Sequence, residues 1–187
     1  MEIGILALQG AFIEHEQAFE DIGISTHEIR NRKDLEKPMD GLVIPGGEST
    51  SMVKLLKGLS MWDKLKDMLD KGLPAFGTCA GLILLAKVND GRQDSFGSID
   101  IEAKRNGYGR QIDSFFAYGE TEDNTLFPLV FIRAPIITSI GPDVFKAATM
   151  GKNIVACRNN NILVCAFHPE LTENRYFHRL FVDICKR

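Results

Sequence analysis

Leu73-Pro74-Ala75-Phe76-Gly77-Thr78-Cys79-Ala80-Gly81-Leu82-Ile83-Leu84-Leu85-Ala86-Lys87-Val88 is the stretch on which the fold turns. Leu73 to Phe76 is a short apolar run of strand character, and Ala80 to Val88 predicts a buried helix. Between them, Gly77 to Gly81 has the form of a nucleophile elbow with cysteine in place of serine. A turn that sharp needs small neighbours, which Gly77 and Gly81 supply. It thrusts the Cys79 side chain out at the carboxyl end of the sheet, where open α/β folds hold their ligands. Helix N–H groups beginning near Ala80 add partial positive charge there, which favours thiolate over thiol.

Outward from this unit the same alternation repeats. Ile3 to Leu8, Ile24 to Ile29 and Gly41 to Ile44 are strand candidates. Phe12, Phe19 and Ile22 share one helical face, and Met61, Leu65, Met68 and Leu69 recur at helical spacing. Such β-α-β order predicts a parallel sheet covered by helices on both faces. From residue 98 the texture changes. Ile99 to Ala103, Gln111 to Tyr118, Val130 to Ala134, Ile136 to Ile140, Val144 to Thr149, Ile154 to Arg158 and Ile162 to Phe167 follow one another too closely for crossover helices, so antiparallel pairing is expected. Phe177, Leu180, Phe181 and Ile184 mark a last amphipathic helix. One α/β domain over residues 1–187 with a mixed sheet is the expectation; repeats, linkers and low-complexity tracts are absent from the sequence.

The bulk numbers narrow the function classes. The chain has 187 residues, 44% hydrophobic and 25% charged, with a net charge of −3. Lys and Arg are spread along it, which argues against a nucleic-acid partner. No apolar run reaches the ~20 residues of a membrane span. Met1-Glu2-Ile3-Gly4 lacks a basic n-region, so no secretory signal is expected. Cys79, Cys157, Cys165 and Cys185 show neither CxxC nor metal-finger spacing, which favours free thiols in a cytoplasmic protein and disfavours a metal.

Two further motifs carry chemistry. Phe167-His168-Pro169-Glu170 closes the last strand candidate. Histidine takes and returns protons near neutral pH, and Pro169 favours extended backbone at His168, from which Glu170 reaches the same side to orient the ring. Pro45-Gly46-Gly47-Glu48-Ser49-Thr50 follows a strand and opens a helix. Its N–H groups suit an anion, yet it has no P-loop lysine and Glu48 would repel phosphate. It fits an oxyanion donor and a clamp for a zwitterionic amino acid, or equally a tight turn with Ser49 or Thr50 as helix cap. His15, His27 and His178 lie in polar surroundings and are expected at the surface, and Cys157, Cys165 and Cys185 in the core.

Together these motifs resemble the class I, triad-type glutamine amidotransferases. Leu8-Gln9-Gly10-Ala11, Arg105-Asn106-Gly107-Tyr108-Gly109-Arg110-Gln111 and Phe131-Ile132-Arg133-Ala134-Pro135 narrow the likeness to the glutaminase subunits of pyridoxal 5′-phosphate synthase, from about residue 3 to the C-terminus. The resemblance implies a flavodoxin-like three-layer sandwich and hydrolysis of L-glutamine to glutamate and ammonia without a cofactor. It implies Cys79 as nucleophile with His168 and Glu170 as its relay. It places glutamine against Gly47, Glu48 and Ser49, with Arg105, Ile132 and Arg133 completing the site. Backbone N–H groups of Gly47 and Ala80 would hold the oxyanion. The partner implied is the barrel-shaped synthase subunit, in a large assembly with a synthase dodecamer at its centre, without which the glutaminase is nearly idle. Two alternatives stay open: a protease- or deglycase-like hydrolase with the same elbow, which has no use for the Arg105–Gln111 and Phe131–Pro135 segments, and a catalytically silent regulatory subunit.

Overall fold

The structure, a computed structural model, describes residues 1–89, 94–105, 107 and 114–187. β1 (Glu2–Leu6), α1 (Phe12–Glu20), β2 (Ser25–Ile29), β3 (Gly41–Ile44), α2 (Ser49–Gly58), α3 (Trp62–Asp70), β4 (Ala75–Thr78) and α4 (Ala80–Leu85) form the alternating half. Then follow β5 (Ala86–Val88), β6 (Ile99–Lys104), β7 (Ser114–Thr121), β8 (Leu126–Ile132), β9 (Ile136–Ile140), β10 (Phe145–Met150), β11 (Asn153–Arg158), β12 (Ile162–Cys165) and α5 (Tyr176–Cys185).

The main sheet runs β2-β1-β3-β4-β12-β11-β10-β7-β8. Its first five strands pair in parallel in the doubly wound, flavodoxin-like order, and the last four add on antiparallel. The parallel strands are apolar and buried on both faces: every residue of β3, β4 and β12 is buried. Successive residues of β4 face opposite layers. Phe76 meets His178 and Phe181 of α5 and His15 of α1, all within 5.7 Å between ring centroids. Gly77 faces α4, where a Cβ would collide with the Gly81 backbone and Leu85, so only glycine lets helix and strand approach this closely. A flavodoxin-like mixed sheet between helical layers, as expected from the sequence, is the architecture observed.

Two boundaries differ materially from the sequence expectation, and a third falls beside residues outside the described ones. The helix expected over Ala80 to Val88 ends at Leu85; Ala86 turns extended, with φ −61° and ψ 142°, and starts β5 in a second sheet, β5-β6-β9. β8 begins at Leu126, well before Val130, and carries Pro128 opposite Tyr118. β8 is an edge strand, and there a missing N–H need cost no ladder bond. Of the strand expected from Gln111, residues 111–113 lie outside the described residues, and β7 runs from Ser114.

Candidate active site

β1, β3, β4 and β12 all send their carboxyl ends to one edge of the sheet, and the strand order reverses between β1 and β3. At such a switch point the loops part and leave a crevice. Here they wall an open cavity of about 700 Å³. Gly47, Glu48, Ser49, Cys79, Ala80, Arg105, Ile132, Arg133 and His168 all line it, although they come from five separate segments of the chain. Glu170 does not line it and sits behind His168.

Cys79 is the residue between β4 and α4, with φ +48° and ψ −99°. Positive φ is costly for a residue with a Cβ and persists where its surroundings enforce it, most often at functional sites. The enforcement is visible. The Cys79 N–H donates to Cys165 O at 2.8 Å, extending the β4–β12 ladder, while α4 is pressed onto β3 at Gly81, where a Cβ would overlap Ile44 O. The thiol reaches the Ile132 carbonyl at 3.6 Å. Burial pushes the thiols of Cys157 and Cys185 up to about 12 and that of Cys165 well above its ordinary value, so these three are inert.

His168 and Glu170 are 5% and 4% exposed, too buried for an uncompensated charge. His168 Nδ1–H donates to Glu170 Oε1 at 2.7 Å, the tautomer that an acceptor-only carboxylate demands. The contact expected from the sequence is present, but the local path to it is different. Pro169–Leu171 is a turn of 3₁₀ helix, with φ −107° and ψ 86° at His168, so the carboxylate arrives by curling back rather than along extended chain. The other face of the imidazole lies on Gly46, where a Cβ would overlap Cε1. Burial works to lower the His168 pKa; the Cys79 sulfur and the Glu170 carboxylate outweigh it and hold it at about 10. Among the described residues Nε2 nevertheless has no hydrogen-bond partner. The sulfur is still near enough to favour the charged ring, although in this rotamer the S–H is turned to Ile132.

The glycine loop is braced from both sides. Glu48, rather than Ser49 or Thr50, caps α2: its carboxylate accepts from Thr50 N at 3.0 Å and Ser51 N at 2.6 Å. Partial burial would raise the Glu48 pKa, but the bonds from Ser51 and Thr50 prevail and lower it to about 2. Gln9 clamps the same peptide, donating to Glu48 O at 2.6 Å and accepting from Glu48 N at 3.3 Å. Arg105 donates to Thr50 Oγ1 at 2.9 Å and Ser49 Oγ at 3.3 Å and stands 4.0 Å from Glu48 Oε1. Arg133, exposed and at φ +43°, borders the cavity opposite. Asn106 and residues 108–111 of the motif that begins at Arg105 lie outside the described residues.

Sequence reasoning missed four side chains. Gln9 was legible only as part of a motif. His15 and His178, expected at the surface, are completely buried between α1 and α5, where His15 approaches Thr78 and the far oxygen of Glu170. His27 is also half-buried, against Glu2 at 3.2 Å.

The chain is matched over nearly its whole length by known proteins. The model of the SNO glutamine amidotransferase family matches residues 5–187. The chain belongs to that family. Three similar proteins are each named pyridoxal 5′-phosphate synthase subunit PdxT: one of Haemophilus influenzae, 48% identical and covering 100% of this chain and 99% of its own; one of Streptococcus pneumoniae, 45% identical and covering 100% and 98%; and one of Methanocorpusculum labreanum, 49% identical and covering 98% and 97%. A crystal structure of a glutamine amidotransferase superposes with a TM-score of 0.92 at 39% identity over 99% of both chains. A glutamine amidotransferase of Thermotoga maritima shares the fold alone, at TM-score 0.64 and 16% identity over 100% of this chain and 84% of its own. Family membership removes the protease- or deglycase-like alternative. No helix is long and apolar enough to cross a membrane among the described residues.

Proposed function

We propose that the chain is a glutaminase that releases ammonia from L-glutamine for the synthase subunit of pyridoxal 5′-phosphate synthase, with Cys79 as nucleophile and His168 and Glu170 as its proton relay. The observation that carries the reading is the buried His168–Glu170 pair at 2.7 Å, set beside a cysteine held at positive φ on the wall of one cavity.

The steps balance with these groups alone. Rotation about χ1 turns the Cys79 sulfur from Ile132 O toward Nε2, and the thiol proton passes to Nε2, where a histidine held at about 10 retains it and leaves a thiolate–imidazolium pair. The sulfur attacks the carboxamide carbon of glutamine; a C–S bond forms and the oxygen becomes an oxyanion, met by backbone N–H groups of Ala80 and Gly47. The imidazolium gives its proton to the amide nitrogen, the C–N bond breaks and ammonia leaves. Water, losing a proton to Nε2, attacks the glutamyl thioester; glutamate departs and the proton returns to sulfur. Glu170 keeps Nδ1 protonated and steadies the imidazolium throughout. Arg105 and Arg133 border the cavity as partners for the charged ends of glutamine, and Glu48 acts through the loop whose shape it fixes.

Ammonia set free in water at neutral pH is protonated at once and is no longer a nucleophile. Delivery across a protein interface is therefore the sensible route, and the three PdxT relatives are all named as subunits of a synthase. We place the chain in the cytoplasm, docked on a synthase core and slow without it. The test is glutamine hydrolysis with and without that subunit. Docking should raise the rate, Cys79→Ala should abolish it, and a glutamine-mimicking diazo-ketone should label Cys79. Rapid hydrolysis by the chain alone would refute partner control, and activity surviving Cys79→Ala would refute the nucleophile.

A further inference from the structure

Behind the catalytic pair lies a second pair of imidazoles that the proposed reaction leaves without a task. Glu170 Oε1 is taken by His168, but Oε2 is buried and among the described residues has no hydrogen-bond partner. The nearest cationic-type nitrogen to it is His15 Nε2 at 3.4 Å, which also lies 3.2 Å from Thr78 Oγ1. His15 Nδ1 in turn stands 3.1 Å from His178 Nε2. The groups facing this pair are Thr78 and Phe76 from β4, Phe19 from α1, Glu170 and His168 from the 3₁₀ turn, and Arg175 and Asp21 at greater distance. Burial, with the neighbouring positive charges, keeps both rings neutral.

Two neutral tautomer patterns fit these distances, and two observations choose between them. If His15 carried its proton on Nδ1, the Nε2 lone pair would face the Glu170 carboxylate, and His178 would need its proton on Nδ1, a buried atom with no partner among the described residues. An orphaned N–H costs more than an orphaned lone pair. In the opposite pattern His178 Nε2–H donates to His15 Nδ1, His15 Nε2–H points between Thr78 Oγ1 and Glu170 Oε2, and only lone pairs are left over. Every proton then lies in one direction, toward the catalytic carboxylate.

We infer that His15, fixed as its Nε2–H tautomer by His178, is a positioning residue that holds the far oxygen of Glu170 so that the near oxygen stays on His168. This rests on the proposed glutaminase reading. His15 lies outside the cavity lining, so its work shows in turnover and not in substrate binding.

Ring 15N chemical shifts of the wild-type chain read the tautomer directly: protonated Nε2 and bare Nδ1 are expected at His15, and the reverse overturns the inference whatever the kinetics. With the synthase subunit present, His15→Phe keeps the ring volume and removes the donor. A fall in kcat of about tenfold to a hundredfold at unchanged glutamine KM is expected, since a small misplacement of a catalytic group costs that much. His15→Gln puts an amide N–H where Nε2 was and should recover most of the loss. Undiminished turnover in His15→Phe, or equal loss in both variants, overturns the inference. Cys79→Ala run beside them separates the failures: if it too stays active the glutaminase reading falls, and if it is dead while His15→Phe is fully active only the role of His15 falls.

Discussion

At the scale of single residues, the site depends on backbone geometry as much as on reactive groups. Gly46 illustrates it. A Cβ there would overlap the His168 ring, which Glu170 pins from the far side, so the ring has nowhere to go without leaving the carboxylate. Gly46→Ala is expected to lower partner-stimulated kcat by about a hundredfold while the circular dichroism spectrum stays that of the folded chain; near-normal turnover would mean that the ring has more room than the packing suggests. Cys79 tests the same point through stability. Alanine in so sparsely populated a backbone region carries strain of roughly 1–3 kcal/mol, whereas glycine carries far less. Cys79→Gly should therefore be at least as stable to urea as Cys79→Ala, against the usual cost of glycine's freedom in the unfolded chain. Cys79, His168 and Glu170 were legible because an elbow and a strand-end His-x-Glu announce themselves by type and spacing. His15 and His178 were not, because polar neighbours in sequence conceal a burial produced by α1 and α5 meeting across β4.

At the scale of elements, the loop after β3 is stiffened by its own helix. Glu48 caps α2 through two N–H bonds, and replacing a cap costs about 1 kcal/mol. Its carboxyl titrates at about 2 when folded against 4.5 unfolded, so this contribution is complete above pH 4.5 and is lost as pH falls toward 2. The side chain is 54% exposed, so water screens it and the cap, not the full shift, sets the scale. Urea midpoints of the wild type and Glu48→Gln should differ at pH 6 and draw together steadily as pH falls from 4.5 toward 2; a gap that stays constant over that range would rule out the carboxylate as its source. Elements were legible where a period existed. Ala80 to Val88 has none, being without charge or polarity apart from Lys87, and a buried strand and a buried helix then look alike in sequence. What ends α4 at Leu85 is the parallel partner Ile99 of β6 waiting for Ala86, a contact thirteen residues on. β8 was cut short for a related reason: Pro128 argues against a strand until one knows that the strand lies at the edge.

At the scale of the whole molecule, the buried imidazoles tie the cavity-bearing edge of the sheet to the layer formed by α1 and α5, and that tie has a pH signature. His178 is held at about 3, by burial first and then by Arg175, and His15 is likewise held well below its ordinary 6.5. Unfolding frees both to bind a proton below pH 6.5, where the folded chain binds none, so the unfolded state gains on the folded one as the solution is acidified. Their contribution to stability is thus complete above pH 6.5 and is lost as pH falls below it, for His178 down toward 3. Each ring adds about 1.4 kcal/mol per pH unit to the slope across that window. Urea denaturation between pH 7 and 5 should show a wild-type free energy that falls with acid, and His178→Phe, which keeps the ring volume among Phe19, Phe76 and Phe181, should fall less steeply by one proton's worth. Carboxylates that titrate lower leave this window to the histidines, so parallel slopes in the two proteins would mean that the interior admits a charged imidazole at residue 178 and that the link between the helical layer and the cavity-bearing edge is looser than its hydrogen bonds imply.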